Sequence, residues 1–361
     1  MPQRAIPYMQ FRGGSSKGLF FEARHLPADP VLRDQVVLAA MEGATGGDAR
    51  QIDGLGGSAS LSSKVAIVQP STRPDADLDY WFIQVVPGAG RVSSTQSCGN
   101  MLAAVLPFAI EAGLWPASDP VTSARIFLQN TGGICEVTVQ TPGGHVMYAG
   151  TAQVDGVPGT GAPIICYYLD TVGATCGALL PAGQEQTDIS GIQVTCLDNG
   201  MPLVIMRAAD LGISGYEPVA ELDNHLPLRT RLEEIRLEAG LRMGLGDVSQ
   251  QTIPKLCLLA PPRPGEVVHT RMFIPHVCHE AIGVLAAISV ATACSLPGSI
   301  AAGIAQLPTD HAYAIGHPSG QMTIQLAPSD GQENTYRAGV VRTARLLSRG
   351  EVMIPDGVWA G

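Results

Sequence analysis

Two stretches of this chain have the apolar spacing of a helix and carry no charge through their middle. The first runs from Cys98 to Gly113, and the second runs from Glu280 to Cys294 and ends before Pro297-Gly298. A helix that is apolar on every side must be buried inside its domain. We therefore expect each helix to pass through a shell of other elements, once in each half of the chain.

Strands are predicted to form that shell. The chain contains 42 glycines and 27 prolines, which is typical of many tight turns between short strands. At 361 residues it is too long for one compact core, so two domains are expected. The predicted fold class is α+β, with two similar domains that are each a strand-built barrel around a central helix. The linker-like stretch 181–187 gives domains over 1–182 and 183–361, with the C-terminal end free to pack back on the first.

Charge and composition exclude several classes of protein. The formal net charge is −10 at pH 7, and nucleic acids are bound by basic surfaces, so no nucleic-acid partner is expected. The longest uncharged apolar stretch, 281–297, is too short to cross a bilayer. The N-terminus has no signal core or transit segment, so we expect no membrane contact and a cytoplasmic location. The 8 cysteines are scattered, and disulfides are not expected in that compartment.

Lysine is rare in this chain. Only Lys17, Lys64 and Lys255 are present, against 19 arginines, so lysine does not serve to solubilise the surface. Lys17 and Lys64 lie in or just after turns rich in glycine and serine. A lysine kept at such a place is a better functional candidate than an average one, the alternative being chance retention. Lys64 opens a predicted strand, where it acts either as a base, which requires a neutral amine, or as a cation that clamps a carboxylate.

The turn Arg12-Gly13-Gly14-Ser15-Ser16-Lys17-Gly18 offers hydroxyl and backbone N–H groups to an anion. It lacks the Gly-Lys-Ser/Thr ending of a Walker A loop, and the chain has no G-x-G-x-x-G after a strand. Neither a nucleotide nor a dinucleotide cofactor is therefore expected.

The start of the first apolar helix carries a second set of candidates. Cys98, Gly99 and Asn100 open this helix, where backbone N–H groups lack partners and the helix dipole is positive. Such a position favours a carboxylate or a developing enolate, and it favours the thiolate form of a cysteine. The alternative is that Cys98 packs and Gly99 caps the helix without any chemistry.

His276, Cys278 and His279 form the one cluster in the sequence with the character of a metal site. Metal sites add further ligands at defined spacing, and the sequence offers no convincing one, so no metal is expected. We interpret the cluster as the wall of a site, with a structural role as the alternative. The turn 198–202 follows a predicted strand, and its polar side chains either face a cleft or only form the turn.

Taken together, these residues resemble the 2-methylaconitate isomerase and 4-oxalomesaconate tautomerase family, which has the diaminopimelate-epimerase fold. The resemblance covers nearly the whole chain. The last of its segments looks most like the oxalomesaconate branch. Each segment alone is weak evidence, but their order and spacing are specific. The segments are 12–18, 51–57, 62–66, 98–100, 197–202 and 276–284.

The resemblance implies two diaminopimelate-epimerase-like domains with the active site between them, and neither a metal nor an organic cofactor. It implies that Lys64 and Cys98 transfer the proton and that Ser15 and Ser16 bind a carboxylate or enolate. The implied partner is a small polycarboxylate, and a homodimer is compatible with it. The substrate-binding candidates are Ser15, Ser16, Lys17, Gly99, Asn100, Met201 and His279.

The resemblance further implies a cofactor-independent isomerase of 4-oxalomesaconate in the catabolism of aromatic acids such as gallate and protocatechuate. Three alternatives stay open: an isomerase of 2-methylaconitate or another aconitate-type tricarboxylate, a racemase or epimerase that uses Cys98 and Cys278, and a carboxylate-binding protein without activity. The epimerase proper has a second Cys-Gly-Thr motif, whereas Cys278 is followed by His279-Glu280 here, which speaks against the racemase.

Overall fold

The computed structural model shows two compact units, one over Met1–Tyr167 with Val341–Gly361 and one over Tyr168–Val340. Strands dominate both units and few helices accompany them, which confirms the predicted α+β class. Among the helices described, none is long and apolar enough to span a membrane. The domain ranges 1–182 and 183–361 stay a prediction. The structure describes residues 3–94, 97–169, 171–328 and 336–359.

The first unit is built on a mixed sheet. Its main strands pair in the order β17, β1, β2, β3, β4, β6 and β7, where β2 with β3 and β4 with β6 are parallel and the other neighbours are antiparallel. Its elements are β1 (Gln3–Gly13), β2 (Ser16–Glu22), α1 (Pro30–Glu42), β3 (Lys64–Pro70), β4 (Leu78–Val86), β5 (Arg91–Ser93), α2 (Gly99–Leu102), α3 (Val105–Glu111), β6 (Val121–Leu128), β7 (Ile134–Gln140), β8 (Ile164–Tyr168) and β17 (Ala344–Pro355).

Helix α1 covers one face of this sheet. It starts after Asp29, whose side chain accepts a hydrogen bond from the Leu32 N–H at 2.8 Å, and it has Pro30 in its first turn, both typical of helix starts. The apolar side of α1 packs against alternate residues of β2, β3 and β4, which include Leu19, Phe21, Val65, Ile67, Ile83 and Val85. Alternation along a strand therefore places Lys64 on the opposite face.

The predicted continuous helix over 98–113 is wrong, because the structure has two short helices there, α2 and α3. Pro107 explains the break. It has no N–H to donate to Ala103, and its ring would clash with that carbonyl in a continuous helix, whereas proline is tolerated in the first turn of a new helix. The predicted burial is confirmed, since Val105 to Ala109 are buried and the Phe108 ring contacts Phe20 at a centroid distance of 5.5 Å.

The second unit has its own mixed sheet. Its strands pair in the order β9, β10, β11, β12, β13, β14, β15 and β16, where β11 with β12 and β13 with β14 are parallel and the rest are antiparallel. Its elements are β9 (Thr187–Ile189), β10 (Ile192–Asp198), β11 (Pro202–Arg207), α4 (Val219–Asn224), α5 (Leu226–Arg242), β12 (Lys255–Ala260), β13 (Val268–Phe273), α6 (Val284–Ser295), β14 (Ala312–His317), β15 (Gly320–Pro328) and β16 (Tyr336–Arg342).

Helices α5 and α6 cover the two faces of the second sheet. Leu256 and Leu258 pack with α5, whereas Cys257 and Leu259 pack with α6. The predicted burial of α6 is confirmed, because every residue from 286 to 294 is buried. Its predicted start at Glu280 is wrong. The helix begins at Val284, after Gly283 in an extended conformation, and glycine is a poor helix former.

The two units repeat one plan. In each unit, six strands lie side by side, and their five pairings alternate between antiparallel and parallel. The first and the last of these pairings are antiparallel. In each, the apolar helix lies in the chain between the strands of the second parallel pairing. The repeat matches β1, β2, β3, β4, β6 and β7 with β10 to β15 in that order, so β3 corresponds to β12.

Candidate active site

The glycine turn between β1 and β2 packs against Asn100 of α2. A Cβ atom on Gly14 would collide with the side-chain oxygen of Asn100, so this approach requires glycine. The Asn100 amide donates to Ser15 Oγ at 3.0 Å and to Ser16 Oγ at 3.5 Å. Because both hydroxyl oxygens accept from Asn100, both O–H groups are left to donate, and no described residue accepts from them. The structure thus brings together two hydroxyl donors suited to an anion.

Arg12 closes this turn instead of facing an anion. Its Nη1 donates to Gly14 O at 2.9 Å and to the backbone and hydroxyl oxygens of Thr343 at 3.0 Å each. Burial, and after it the nearby Arg345, lower the pKa of the Arg12 guanidinium. Arg12, which opens the motif, therefore holds the turn to Thr343, the residue between β16 and β17.

Lys64 is the first residue of β3 and is only 7% exposed. Its Nζ donates to Gln84 Oε1 at 2.6 Å and lies 5.0 Å from the centroid of the Phe82 ring. Within the part of the chain that the structure describes, Lys64 has no ion-pair partner. A lysine whose partner is a neutral amide can serve as a base more readily than one paired with a carboxylate.

Cys98 precedes α2 and is half-buried. Its carbonyl accepts hydrogen bonds from the Leu102 N–H at 2.9 Å and from the buried Tyr80 hydroxyl at 3.2 Å. The thiol caps no backbone group of α2. The backbone of Cys98 is thus fixed from two sides.

One face of β4 contacts both Lys64 and Cys98. Tyr80, Phe82 and Gln84 alternate along the strand and therefore point to the same side. Tyr80 holds the carbonyl of Cys98, while Phe82 and Gln84 contact the amine of Lys64. The amine of Lys64 and the backbone carbonyl of Cys98 therefore both contact this face.

The side chain of Lys17 points away from this group of residues. Ser16 faces α2, so alternation along β2 turns Lys17 to the side of Leu19 and Phe21, which pack with α1. The Lys17 N–H already donates to Leu61 O at 2.8 Å. Gly99 is the first residue of α2 and is half-buried.

The turn after β10 is tied to α6. Asn199 is 1% exposed, its amide donates to Thr292 Oγ1 at 2.9 Å, and its N–H donates to Ser289 Oγ at 3.2 Å. The Ser289 hydroxyl in turn donates to Met201 O at 3.0 Å. These contacts fix the backbone of Met201, and the side chain of Asn199 is fully engaged in forming the turn.

Cys278 lies six residues before α6 and is buried, with its N–H donating to Asp223 Oδ1 at 2.7 Å. Burial raises the pKa of the Cys278 thiol to about 12, although Arg271 opposes the rise. Two-base racemisation needs a thiolate that reaches the substrate, so this environment argues against the two-thiol alternative.

His279 is half-buried, and its Nδ1 accepts from the Ala281 N–H at 2.8 Å. The imidazole of His276 is half exposed and lies 3.6 Å from Glu233 Oε2. No group of three or more His, Cys, Asp or Glu that could hold a metal ion occurs among the described residues.

Comparison with known proteins places the chain in a family. The sequence matches the family described as PrpF protein over residues 3–355. The chain belongs to the PrpF family. It is 51% identical to the 4-oxalomesaconate tautomerase of Pseudomonas putida over 363 residues, 100% of this chain and 99% of the relative. It is 49% identical to the (4E)-oxalomesaconate Delta-isomerase of Novosphingobium sp. over 361 residues, 98% of this chain and 100% of the relative.

The fold agrees with that of a solved isomerase. The crystal structure of methylitaconate-delta-isomerase superposes with a TM-score of 0.88 at 31% identity, covering 100% of this chain and 98% of the other. The relatives are named as isomerases or tautomerases, and this PrpF-family chain is an isomerase.

Two residues of this PrpF-family site are absent from the sequence prediction. Gln84 and Tyr80 hold Lys64 and Cys98, but each lies in the middle of an ordinary apolar strand. The sequence offers one signal for Gln84, which is a glutamine within an apolar strand, because a buried polar group needs a hydrogen-bond partner. The identity of that partner depends on the register of β3 against β4, which pairs Lys64 with Gln84.

Proposed function

We propose that this PrpF-family isomerase moves a proton within 4-oxalomesaconate, by keto–enol tautomerisation or 1,3-allylic isomerisation, in the catabolism of aromatic acids such as gallate and protocatechuate. The observation that carries the proposal is the amine of Lys64, buried and held at 2.6 Å by a neutral amide on the strand that also holds Cys98. The 51% identity to a 4-oxalomesaconate tautomerase supports the choice of substrate.

Lys64 is the proposed base. In its neutral form the amine takes a proton from the carbon next to the oxo and carboxylate groups, where the C–H bond is acidified. The electron pair of that bond moves into the conjugated system and gives a dienolate. Ser15 and Ser16 donate their O–H groups to the oxygen that gains charge, as donors aimed at a developing anion do.

Cys98 or Lys64 then returns a proton at another atom of the conjugated system, so the molecule is isomerised without net loss of a proton. Such a relay depends on geometry and on matched proton affinities, and it uses only side chains of this chain. Lys17, Gly99, Met201 and His279 are retained as proposed substrate-binding residues, although the side chain of Lys17 points to the α1 side of its strand.

An ultraviolet assay over a small panel of unsaturated tri- and dicarboxylates tests this proposal. The purified full chain is mixed with 4-oxalomesaconate, 2-methylaconitate or aconitate, and the change in conjugation is followed. We expect the highest kcat/KM with 4-oxalomesaconate. Turnover of 2-methylaconitate alone would replace the substrate and keep the chemistry, whereas binding without turnover of any compound would favour a carboxylate-binding protein.

The proposal includes a cytoplasmic location and is compatible with a homodimer. Light scattering on the purified chain measures its mass in solution, and fractionation of cells that express it measures its location. A mass of one chain would remove the dimer from the proposal, and recovery outside the cytosol would remove the location.

A further inference from the structure

We propose that Gln84 is a positioning residue for Lys64, and that a hydrogen-bonded chain from Glu42 through Gln51 and Ser63 fixes the orientation of Gln84. This inference rests on the proposed function, in which Lys64 is the base. It assigns a role to the 51–57 segment, which the sequence marks as a motif without giving it a purpose.

Hydrogen bonds connect these residues in order, passing through the backbone carbonyl and the side-chain hydroxyl of Ser63. Lys64 Nζ donates to Gln84 Oε1 at 2.6 Å, and Gln84 Nε2 donates to Ser63 O at 3.0 Å. Ser63 Oγ donates to Gln51 Oε1 at 2.6 Å, and Gln51 Nε2 donates to Glu42 Oε1 at 3.3 Å. In this series of hydrogen bonds each residue donates to the next, from Lys64 to the carboxylate of Glu42, which is 1% exposed.

This arrangement decides which end of the Gln84 amide meets the lysine. The Nε2 group also has Ser60 O at 3.1 Å and Val85 O at 2.9 Å within reach, so three carbonyls surround its two hydrogens. A reversed amide would face these three carbonyls with its own oxygen and lose the hydrogen bonds that Nε2 makes to them. Oε1 is therefore directed at Lys64 by the surrounding backbone.

The backbone conformation and the contacts of Gln51 suit its position in this series of hydrogen bonds. It is 2% exposed and has a φ of 52°, an uncommon conformation for a residue other than glycine. Its Oε1 also accepts from the Ser58 N–H at 2.8 Å, which leaves the amide orientation fixed. Gly56 packs so closely on the Gln51 side chain that a Cβ atom there would collide with it. The 51–57 segment thus fixes Gln51, which accepts the hydrogen bond from Ser63, the residue before Lys64.

A neutral acceptor suits a base better than a charged one. A carboxylate at this distance would favour the ammonium form and oppose proton abstraction, whereas an amide oxygen accepts from the amine in either form. Gln84 holds one N–H, so the lone pair of the neutral amine is left to face the substrate. No carboxylate of the described residues lies within ion-pair distance of Lys64. The titratable groups on the neighbouring elements are Arg4, Tyr8 and Arg12 on β1, Lys17 and Glu22 on β2, Asp79 and Tyr80 on β4, Cys98 before α2, and Glu111 on α3.

Two substitutions of Gln84 test the inference through activity. Gln84→Glu keeps an acceptor of the same length but adds a charge, and we expect the rise of kcat/KM with pH to move up by about one to three pH units. Gln84→Met keeps the length and removes the acceptor, and we expect kcat to fall by more than about 10-fold while KM changes by less than about 3-fold, since a misplaced base loses rate rather than binding. Gln69→Met is the matched control, because Gln69 lies near the far end of β3 and donates to Asp79.

A second measurement does not need a substrate. The chain has three lysines, so acetylation of Lys64 can be followed by mass spectrometry against pH, with Lys255 as the internal reference. We expect Gln84→Glu to move the onset of Lys64 acetylation to higher pH, and Gln69→Met to leave it unchanged. Should Gln84→Met fail to fold, Gln84→Glu still decides.

The outcomes separate this inference from the proposed function. A shift in acetylation without turnover of any panel compound supports the role of Gln84 and overturns the proposed function. Wild-type pH profiles and wild-type acetylation in both Gln84 variants overturn the inference and leave the function standing.

Discussion

The two units repeat the same strand order but carry different residues at equivalent positions. Lys64 opens β3 and Lys255 opens β12, and each pairs with the strand that follows the first turn of its unit. Both lysines lie on the face that carries the apolar helix, as the alternation with Val65 and Leu256 shows. The comparison therefore isolates what one lysine has and the other lacks.

The surroundings of the two lysines differ. Lys64 is buried and held by Gln84, whereas Lys255 is half-buried and has no hydrogen-bond partner within the described ranges. Burial alone lowers the pKa of Lys255. The residue before the apolar helix is Cys98 in the first unit and Gly283 in the second. Only the first unit thus combines a held amine with a thiol, which teaches that a repeated scaffold can confine chemistry to one copy.

The largest effect is expected when the two lysines are exchanged for methionine. Lys64→Met should lower kcat by about 10²- to 10⁴-fold, the range of a lost general base. Lys255→Met should lower it by less than about 10-fold, because an unheld amine makes no proton transfer in this account. Steady-state kinetics on both variants, with thermal unfolding as the check on folding, measure the contrast. A larger loss for Lys255→Met would reverse the comparison.

The next effect concerns the two thiols. Cys98→Ser should reduce turnover by about 10- to 100-fold, since a hydroxyl returns a proton less readily than a thiol. Cys278→Ala should leave turnover within about 3-fold of the parent, because its buried thiol takes no part in the chemistry. The same kinetic assay compares them. Loss of activity in Cys278→Ala at unchanged stability would restore the two-thiol racemase.

Asn100, which contacts the first turn of its unit, and Asn199, which lies in the first turn of the other, give a smaller contrast. Asn100→Ala releases the hydroxyls of Ser15 and Ser16 and should raise KM by about 10-fold, which corresponds to the loss of about one hydrogen bond. Asn199→Ala breaks buried bonds to α6 and should instead cost about 1–3 kcal/mol of unfolding free energy. Kinetics and denaturant unfolding of both variants separate the two roles. Equal changes in KM would show that the turns share one function.

The smallest effect is a difference in thiol labelling with no change in fold. At pH 8 a thiol with a pKa of about 12, as burial gives Cys278, has roughly one thiolate in 10⁴. Burial, with Asp198, raises the pKa of the half-buried Cys176 to about 11. We expect iodoacetamide to label Cys98 before either, and we expect the labelling of Cys176 and Cys278 to become faster as the pH rises towards these values. Peptide mass spectrometry over time shows the order, and labelling of Cys278 first would contradict it.

Much of the fold follows from local patterns in the sequence. The apolar helices were predictable because burial on every side leaves a uniform apolar composition, and both are buried. The break in the first was also open to prediction, since Pro107 stands four residues after Ala103. The predicted start of the second helix is too early because the apolar pattern runs through Ala281 and Ile282, although Gly283 interrupts it.

The site was predictable only in part. The rarity of lysine marks Lys64, and the glycine turn marks Ser15 and Ser16. The side of Lys17 depends on where β2 begins, because a shift of one residue turns every side chain over. The partner of Gln84 could not be predicted, since its contact with Lys64 exists only after β3 and β4 pair in one register.

Solvent-hydrogen exchange tests the central claim most directly. The full chain is incubated with 4-oxalomesaconate in D₂O, and the deuterium in the remaining substrate and in the product is followed by NMR. The account predicts deuterium incorporation by the parent and by Lys255→Met, and none above the uncatalysed rate by Lys64→Met. Incorporation by Lys64→Met at the parental rate would contradict it.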